Sequence, residues 1–346
     1  MHENPIIRQV KPPFSGEVES KWNDFLQRNT NGNFFQSPEF LHLFDNCKNY
    51  EPLVLTAEDK TGQITGVLVA IIISERIYGV PFQRILVQGG PVISKLQPNR
   101  SDVLRELLKT LKLQVRRKTV FVEIRNLQLW KEDITLFQEL GFEWHDHLND
   151  ILPIQNDAGF SGIKPAKQRQ IRRGLENGAE IRPATSGKEI EEFYTILKVL
   201  YKNKVRKPLP PLTFFLNFFH KTQQENKGVI LVVSYKGNVI GGMVCPFSGN
   251  HTVHEWYICS VQDRLKHLYP GVLATWAGID FAGRNNFSHF DFMGIGSPQK
   301  PYGVRNFKTK FGGEVINYGR WQLINNKFRY NLGLLGYKLL KSFPKP

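Results

Sequence analysis

The chain has 346 residues, of which 41% are hydrophobic, and this is enough for about two domains with packed cores. Its longest apolar run, Val67 to Ile73, has the length of a strand and argues against a membrane-spanning helix. Three cysteines and an N-terminus without a basic, apolar leader favour a protein of the reducing cytoplasm and exclude a disulfide-based scaffold.

The net charge of +15 is concentrated in the second half of the chain. Residues 161–210 carry twelve Lys and Arg against five acids, and residues 294–313 and 315–346 carry four and six cations with no acid. Such a field would attract an RNA, an anionic membrane face or a phosphorylated substrate. A basic protein without a polyanionic partner is the competing interpretation, because sequence does not show whether the charges share one surface.

The first half has the pattern of an α/β unit. Ser37 and Pro38 are typical of a helix start, with a capping hydroxyl followed by a proline at the first helical position. Leucines at helical spacing predict a helix over 101–115. The other predicted elements are strands at 53–56, 64–73, 84–87 and 120–124, a helix at 134–140 and a strand after Gly141.

The second half follows a polar, turn-rich seam at 155–165. Its predicted elements are helices at 165–177, 188–202, 212–221 and 270–282 and strands at 229–235, 239–246, 252–260, 288–292 and 315–324. A last helix at 328–343 places its apolar residues on one face. We therefore predict an N-terminal domain at 1–155, a C-terminal domain at 165–326 and an amphipathic C-terminal helix at 327–346.

The stretch from Gly294 to Gly313 is the most informative part of the sequence. It holds five glycines, four cations and no acid in twenty residues. Glycine allows a backbone to approach a ligand closely, and an acid-free cationic loop attracts anions or the negative charge that develops during a reaction. Because this loop follows a predicted strand, it is a candidate reactive loop.

Several short motifs follow one another along residues 30–325. They are Phe34–Ser37, Arg169–Arg173, Thr252–Tyr257, Tyr269-Pro270, Phe290–Gly294 and, most specific, Phe307–Gly313. In this order they resemble the FemABX family of peptidoglycan interpeptide-bridge aminoacyltransferases and its FemAB-like relatives. The resemblance implies an α/β (α+β) fold of two GNAT-like domains, each with a mixed, mostly antiparallel sheet flanked by helices.

The resemblance also implies roles for single residues. Lys308 would steady the oxyanion of the tetrahedral intermediate, Phe307 would lie beside the transferred group, and Tyr257 would contact the acceptor. Lys48 and Arg206 are loose counterparts of the family's acceptor-binding cations. The other residues that we expect to bind substrate are Gln36, Tyr302, Arg305 and Lys310.

Acyl transfer to an amine requires a neutral amine, a polarised carbonyl and their close approach. Lys308 suits the second task, since no neighbouring acid in the sequence neutralises it; a solvated surface lysine is the alternative. Glu255, in the middle of a predicted strand, would accept the amine proton if it faces a cleft. Pairing with a surface cation is its alternative. His254 would point to the other face of the strand, and Asp291 is expected to cap amides of the glycine loop.

The sequence favours aminoacyl-tRNA over acyl-CoA as the donor, with no bound cofactor. A GNAT site for acetyl-CoA usually has an Arg/Gln-x-x-Gly-x-Gly/Ala loop at a helix N-terminus, whose amides cradle the pyrophosphate. The corresponding stretch, Arg264 to Ala274, keeps one glycine, and Pro270 removes an amide donor. No metal site is predicted, because the His and Cys residues lack metal-binding spacing.

The sequence thus predicts a FemAB-like acyltransferase that moves an aminoacyl group from aminoacyl-tRNA to an amine on a cell-envelope or peptidoglycan precursor. One alternative is a GNAT-type N-acyltransferase that uses acyl-CoA or acyl carrier protein. Another is a non-enzymatic basic protein that binds RNA or membrane on the same fold. The expected location is cytoplasmic, and the basic C-terminal helix either contacts the inner membrane face or docks onto its own domain. The oligomeric state stays open.

Overall fold

The computed structural model describes residues 5–77, 79–95, 99–154, 160–222, 225–261 and 265–342. Side chains at 77 and 337–342 are not among those described. The chain forms two compact units, the first made of Met1–Asp146 with Tyr318–Pro346 and the second of His147–Asn317. Among the described residues, no helix combines the length and the apolar character that a bilayer-spanning segment needs.

The first unit begins with seven strands and four α-helices. The strands are β1 (Ile6–Val10), β2 (Tyr50–Glu58), β3 (Ile64–Ile77), β4 (Val80–Gly89), β5 (Val92–Ile93), β6 (Thr119–Asn126) and β7 (Glu143–His145). The helices are α1 (Gly16–Arg28), α2 (Pro38–His42), α3 (Arg100–Leu113) and α4 (Ile134–Glu139). As predicted, the hydroxyl of Ser37 caps α2, and the leucine stripe of α3 is fully buried against β2 and β3.

The second unit contributes eight strands and five α-helices. The strands are β8 (Leu148–Pro153), β9 (Glu180–Pro183), β10 (Gly228–Tyr235), β11 (Asn238–Ser248), β12 (Thr252–His254), β13 (Tyr257–Ser260), β14 (His289–Gly296) and β15 (Glu314–Asn317). The helices are α5 (Pro165–Glu176), α6 (Gly187–Leu200), α7 (Leu212–Asn217), α8 (Pro270–Arg284) and α9 (Gly303–Lys308). The chain then adds β16 (Arg320–Ile324) and α10 (Lys327–Ser342) to the first unit.

Each unit is built on one mixed, mostly antiparallel sheet, which confirms the predicted fold class. The first sheet has the order β1-β2-β3-β4-β6-β16-β7 with β5 beside β3, and the second has the order β15-β8-β14-β12-β11-β10-β9 with β13 beside β11. Among the described strand pairs, β4 with β6 and β12 with β14 are parallel. Helix α8 lies in the core of the second unit, where Phe290 and Met243 approach Gly278 closely.

Two predicted strands are each divided in the structure. The stretch 252–260 is interrupted at Glu255 and Trp256, and the stretch 315–324 becomes β15 in the second sheet and β16 in the first. Strand β8 similarly leaves the first half of the sequence to pair with β14 and β15. The unit boundaries therefore fall at 146/147 and 317/318 rather than at 155 and 326, and residues 155–159 of the predicted seam lie outside the described residues.

Candidate active site

The parallel strands β12 and β14 separate after a short common run. They pair at three positions, of which His254 with Asp291 is the last, and the amide of Glu255 still donates to the carbonyl of Asp291 at 2.9 Å. Beyond this point β13 pairs with β11, whereas β14 pairs with β8. Glu255 therefore lies at the vertex between two diverging strands, not in the middle of one continuous strand as the sequence suggested.

Lys308 reaches this vertex from the last position of α9. Its ammonium lies 2.7 Å from Oε1 of Glu255 and donates to the carbonyl oxygen of Phe292 at 2.5 Å. The side chain is only 7% exposed, so it is not a solvated surface lysine. A lysine ammonium carries three protons, and these two contacts leave one for a further acceptor.

The electrostatics of Glu255 suit a group that takes up a proton. Burial raises the pKa of Glu255, Lys308 opposes that shift, and Asp291 adds to it. Oε2 of Glu255 accepts no hydrogen bond from the described residues. A carboxylate with a raised pKa and one unpaired oxygen is chemically able to act as a general base.

A chain of buried hydrogen bonds holds Asp291 behind the vertex. Ser248 Oγ lies 2.7 Å from Nε2 of His254, whose Nδ1 lies 3.1 Å from Oδ2 of Asp291. The amide of Met293 donates to Oδ1 of Asp291 at 2.7 Å, which is the capping contact expected from the sequence. Asn149 donates to the same oxygen at 3.4 Å.

The structure adds one carboxylate that sequence reasoning missed. Asp150, on β8, is fully buried, and burial raises its pKa to about 6, with Lys308 lowering it and Asp291 and Glu255 raising it. An Asp followed by the apolar residues Ile151 and Leu152 was a weak signal, and its charged neighbours come from distant parts of the sequence. Among the described residues, no group of three or more His, Cys, Asp or Glu is arranged to hold a metal ion.

Phe307 lies next to Lys308 and beneath a second buried lysine. The ammonium of Lys167, on α5, is 4.5 Å from the centre of the Phe307 ring and also donates to Gln170 at 2.8 Å. Burial lowers the pKa of Lys167, and Lys310 lowers it further. Lys310 is itself exposed, so this side of Phe307 is cationic.

Tyr302 and Arg305 flank the glycine turn before Lys308. Arg305 donates to the carbonyl oxygens of Ile295 and Ser297, so its guanidinium closes the turn, a structural role that the sequence did not suggest. The exposed ring of Tyr302 packs against Gly296, whose φ of +86° and lack of a side chain permit the contact. The predicted reactive loop is thus partly helical and internally bonded.

Tyr257 and Arg206 both lie near Tyr201 in the second unit. The half-buried ring of Tyr257 is 6.2 Å from that of Tyr201 and 5.2 Å from that of Phe215. The amide of Arg206, in a left-handed conformation with φ of 51°, donates to the carbonyl of Tyr201 at 2.7 Å. Their expected role in acceptor binding stays a prediction.

The two candidate residues of the first unit, Gln36 and Lys48, differ in their exposure to solvent. Gln36 is fully buried, and its carboxamide bonds to the backbone of Val69 and Gln88 at 2.7–3.1 Å. It ties the 3₁₀ turn Phe34–Gln36 before α2 to the sheet, and its expected contact with substrate stays a prediction. Lys48 is exposed in the turn before β2, and its substrate role stays a prediction.

Pro270 removes one amide donor from the start of α8, where a pyrophosphate cradle would lie. Pro270 occupies the first turn, and Tyr269 before it is left-handed with φ of 49°. A proline at this position cannot donate a backbone hydrogen bond. Arg264, at the head of the corresponding sequence stretch, lies outside the described residues.

Comparisons with known proteins agree with this architecture. Residues 166–309 match the model of the acetyltransferase (GNAT) domain family. The crystal structure of FemX is 12% identical, covers 94% of this chain and 99% of its own, and superposes with a TM-score of 0.69. The chain has a FemX-like tandem GNAT fold.

Two further solved structures have the same fold. L-PGS from Bacillus licheniformis is 13% identical over 94% of this chain and 97% of its own, with a TM-score of 0.55. A tandem GNAT protein from the clavulanic acid biosynthesis pathway is 10% identical over 92% of this chain and 98% of its own, with a TM-score of 0.55. A comparison with curated protein sequences gives no significant match. With a GNAT domain in its second unit, this FemX-like protein is an acyltransferase.

Proposed function

We propose that the protein forms an amide by moving an aminoacyl group from aminoacyl-tRNA to an amine of a cell-envelope precursor. The observation that carries the proposal is the buried contact of 2.7 Å between Lys308 and Glu255 at the divergence of β12 and β14. The motif around Lys308 is also the most specific part of the resemblance to aminoacyltransferases.

Lys308 and Glu255 have different roles in the proposed reaction. The amine attacks the ester carbonyl, a carbon–nitrogen bond forms, and the carbonyl oxygen becomes anionic. The remaining proton of the Lys308 ammonium meets that oxygen, while Glu255 takes the proton that the amine loses. When the carbon–oxygen bond to the terminal ribose of the tRNA breaks, Glu255 returns the proton to the departing oxygen.

Cationic groups near Phe307 support a polyanionic donor. Lys167 and Lys310 lie on this side of the site, and α5 adds Arg169, Arg172 and Arg173 along its length. Lysine and arginine contacts to phosphates supply affinity that falls with salt.

Transfer from acyl-CoA is the second candidate, and the match of residues 166–309 to an acetyltransferase domain favours it. Pro270 at the first turn of α8 weighs against it, since the pyrophosphate of CoA would lose an amide donor there. The two candidates share Lys308 and Glu255 and differ in the donor.

One assay separates the candidates. Purified protein is incubated with charged tRNA or acyl-CoA and with amine acceptors, and new amides are detected by mass spectrometry. We expect transfer from charged tRNA that is about 10²- to 10³-fold slower in Lys308→Met and unchanged in Lys300→Ala, a variant of an exposed lysine of the same loop. Transfer from acyl-CoA alone would replace the first candidate with the second, and transfer from neither would refute both.

We also propose that α10 rests on an anionic membrane surface, where a lipid-linked acceptor would lie. Its predicted apolar stripe is exposed at Phe328, Leu332 and Leu335, because the helix packs through Tyr330 against Phe121 instead. Residues 315–346 carry six cations and no acid. Wild-type protein should sediment with vesicles containing anionic lipid and Phe328→Asp should not; equal sedimentation would contradict the contact.

A further inference from the structure

Asp150 is a buried carboxyl group to which no described residue donates a hydrogen bond. It is 0% exposed in the middle of β8, and neither of its side-chain oxygens accepts a hydrogen bond from the described residues. An ionised carboxylate in such a position is costly unless an opposite charge lies nearby. The nearby charged groups therefore determine whether the Asp150 carboxyl group is ionised.

Those groups are the ones assigned to the reaction. Lys308 on α9 attracts the Asp150 carboxylate, and Asp291 on β14 and Glu255 at the vertex repel it. On its other edge, β8 pairs with β15, where the uncharged Val315 faces Asp150. The charge of Asp150 is thus opposed by one ammonium and reinforced in its cost by two other carboxylates.

The three carboxylates are not equally supported. Glu255 forms the ion pair with Lys308, and Asp291 accepts from the amide of Met293 and the amide group of Asn149 and contacts His254. Asp150 has no such partner among the described residues. Of the three, Asp150 is the carboxylate that has neither an ion pair nor a hydrogen bond among the described residues.

Asp150 also lies against the end of the segment that carries Lys308. A Cβ atom on Gly313 would lie 2.1 Å from Oδ1 of Asp150, and Gly313 has a φ of +107°. Gly313, the second glycine of the Phe307–Gly313 motif, is therefore required, because a side chain at this position would collide with Asp150. The motif and this carboxyl group fit together sterically.

We propose that Asp150 is a positioning residue for acyl transfer. Its charge acts on the Lys308–Glu255 ion pair, and its side chain fixes the position of the segment that carries Lys308. The inference rests on the proposed function. When Asp150 is ionised, its negative charge attracts the Lys308 ammonium that meets the oxyanion and strengthens the attraction of Glu255 for the amine proton. When Asp150 is protonated, both effects are lost.

The test uses Asp150→Asn, which keeps the size of the side chain beside Gly313 and removes the charge. We expect kcat to fall about 10- to 100-fold with little change in KM, as for a misplaced catalytic group. The acid limb of the kcat profile should also move to lower pH, because Glu255 loses a like charge. An unchanged kcat and pH profile in folded Asp150→Asn would overturn the inference.

Thermal unfolding of the full chain gives a readout that needs no substrate. The pKa of Asp150 is raised to about 6 in the folded state, so its stabilising contribution is fully present below the unfolded value and is lost as pH rises through about 6. Asp150→Asn should therefore match the Tm of wild type near pH 4 and exceed it above about pH 7.

The two readouts separate the possible failures. A pH-independent Tm difference would show that Asp150 does not change charge in this range, and it would overturn the inference even if the wild type transfers acyl groups. Absence of transfer in the wild type, with the expected Tm behaviour, would refute the proposed function and with it the positioning role of Asp150. The change of charge at Asp150 with pH would still be supported.

Discussion

Each unit has a pair of neighbouring parallel strands, and the two pairs differ in how long the strands stay paired. In the first unit, β4 and β6 stay paired at seven positions, from Gln83 with Thr119 to Gly89 with Asn126. In the second unit, β12 and β14 pair at three positions and then separate, while β14 stays paired with β8 and the chain after β12 stays paired with β11 as β13. The closed pair forms a continuous sheet, and the open pair creates the vertex that receives Glu255 and Lys308.

The partly buried Glu123 of the first unit and the buried Glu255 of the second differ in the same sense. Burial alone would raise the pKa of Glu123 on β6, but Arg125, Arg320 and Arg84 outweigh it and hold the pKa well below its usual range. Burial raises the pKa of Glu255, and a single lysine faces it together with Asp150 and Asp291. Excess cations suit a structural ion pair, and excess carboxylates suit proton transfer.

The largest expected effect is the loss of the Lys308 ammonium. Lys308→Met should lower kcat about 10²- to 10³-fold, since an oxyanion donor is removed. Because this leaves Glu255 buried without its cation, the double variant Lys308→Met/Glu255→Gln should fold more stably than the single one. Rapid-quench measurement of amide formation and circular dichroism would check both. Transfer at the wild-type rate by the folded single variant would contradict the role of Lys308.

Removal of the proton acceptor should have the next largest effect. Glu255→Gln keeps the shape of the side chain and should lower kcat about 10²-fold or more, because the amine proton has no acceptor. The acid limb of the pH profile of kcat should disappear with it. If the variant keeps that limb, another group is the general base.

A methyl group on Gly313 should disturb the site through Asp150. Gly313→Ala introduces an atom that would meet Oδ1 at 2.1 Å, at a φ of +107°, so the loop must shift. We expect kcat to fall by about tenfold to a hundredfold, as for a displacement near 1 Å. Gly237→Ala is the matched control, because Gly237 also has a positive φ, +77°, but no atom within 4 Å of the added carbon. An equal kcat loss in both variants would contradict the steric argument.

Neutralising the structural carboxylate of the first unit should affect stability and not transfer. Glu123→Gln leaves Arg125 and Arg320 without the carboxylate that they contact at 2.6 and 2.9 Å, and should cost about 2 kcal/mol at neutral pH. A lowered folded pKa contributes stability above the unfolded pKa of about 4.3, so the deficit should shrink as pH falls below that value. Urea unfolding at several pH values measures this, and a pH-independent deficit would contradict it.

The smallest effect is expected at the exposed Lys310. Lys310→Ala should weaken tRNA binding a few-fold and reduce the slope of log K against log salt by about 1, as for one lost phosphate contact. Filter binding at several salt concentrations measures the slope. A slope equal to that of wild type would place the phosphates elsewhere.

Much of the fold follows from local patterns in the sequence. The cap at Ser37, the leucine stripe of α3 and the meander of β10 and β11 all depend on residues that are close in sequence. The exchange of β8 and β16 between sheets could not be predicted, because it depends on which distant strand each one meets. The apolar stripe of α10 at Phe328 was predicted, but the packing of the helix through Tyr330 against Phe121 was not.

The site was predictable only in part for the same reason. The sequence motifs around Lys308 and Glu255 identified both residues as candidates. Their contact could not be predicted, because it joins positions 53 residues apart in sequence. The hydrogen bonds of Gln36 were not predicted, since its partners Val69 and Gln88 lie on β3 and β4, more than thirty positions away in sequence. Asp150 acquires its charged neighbours only when β8 enters the second sheet.

The most direct test of the open-strand site is the binding of a tetrahedral mimic. Adenosine that carries an aminoalkyl phosphonate ester at its 3′ oxygen presents the anionic oxygen that Lys308 is proposed to meet. We expect wild type to bind this compound at least about tenfold more tightly than the matching planar amide, and Lys308→Met to bind both alike. Equal binding of the two compounds by wild-type protein would contradict the assignment of Lys308 as the oxyanion donor.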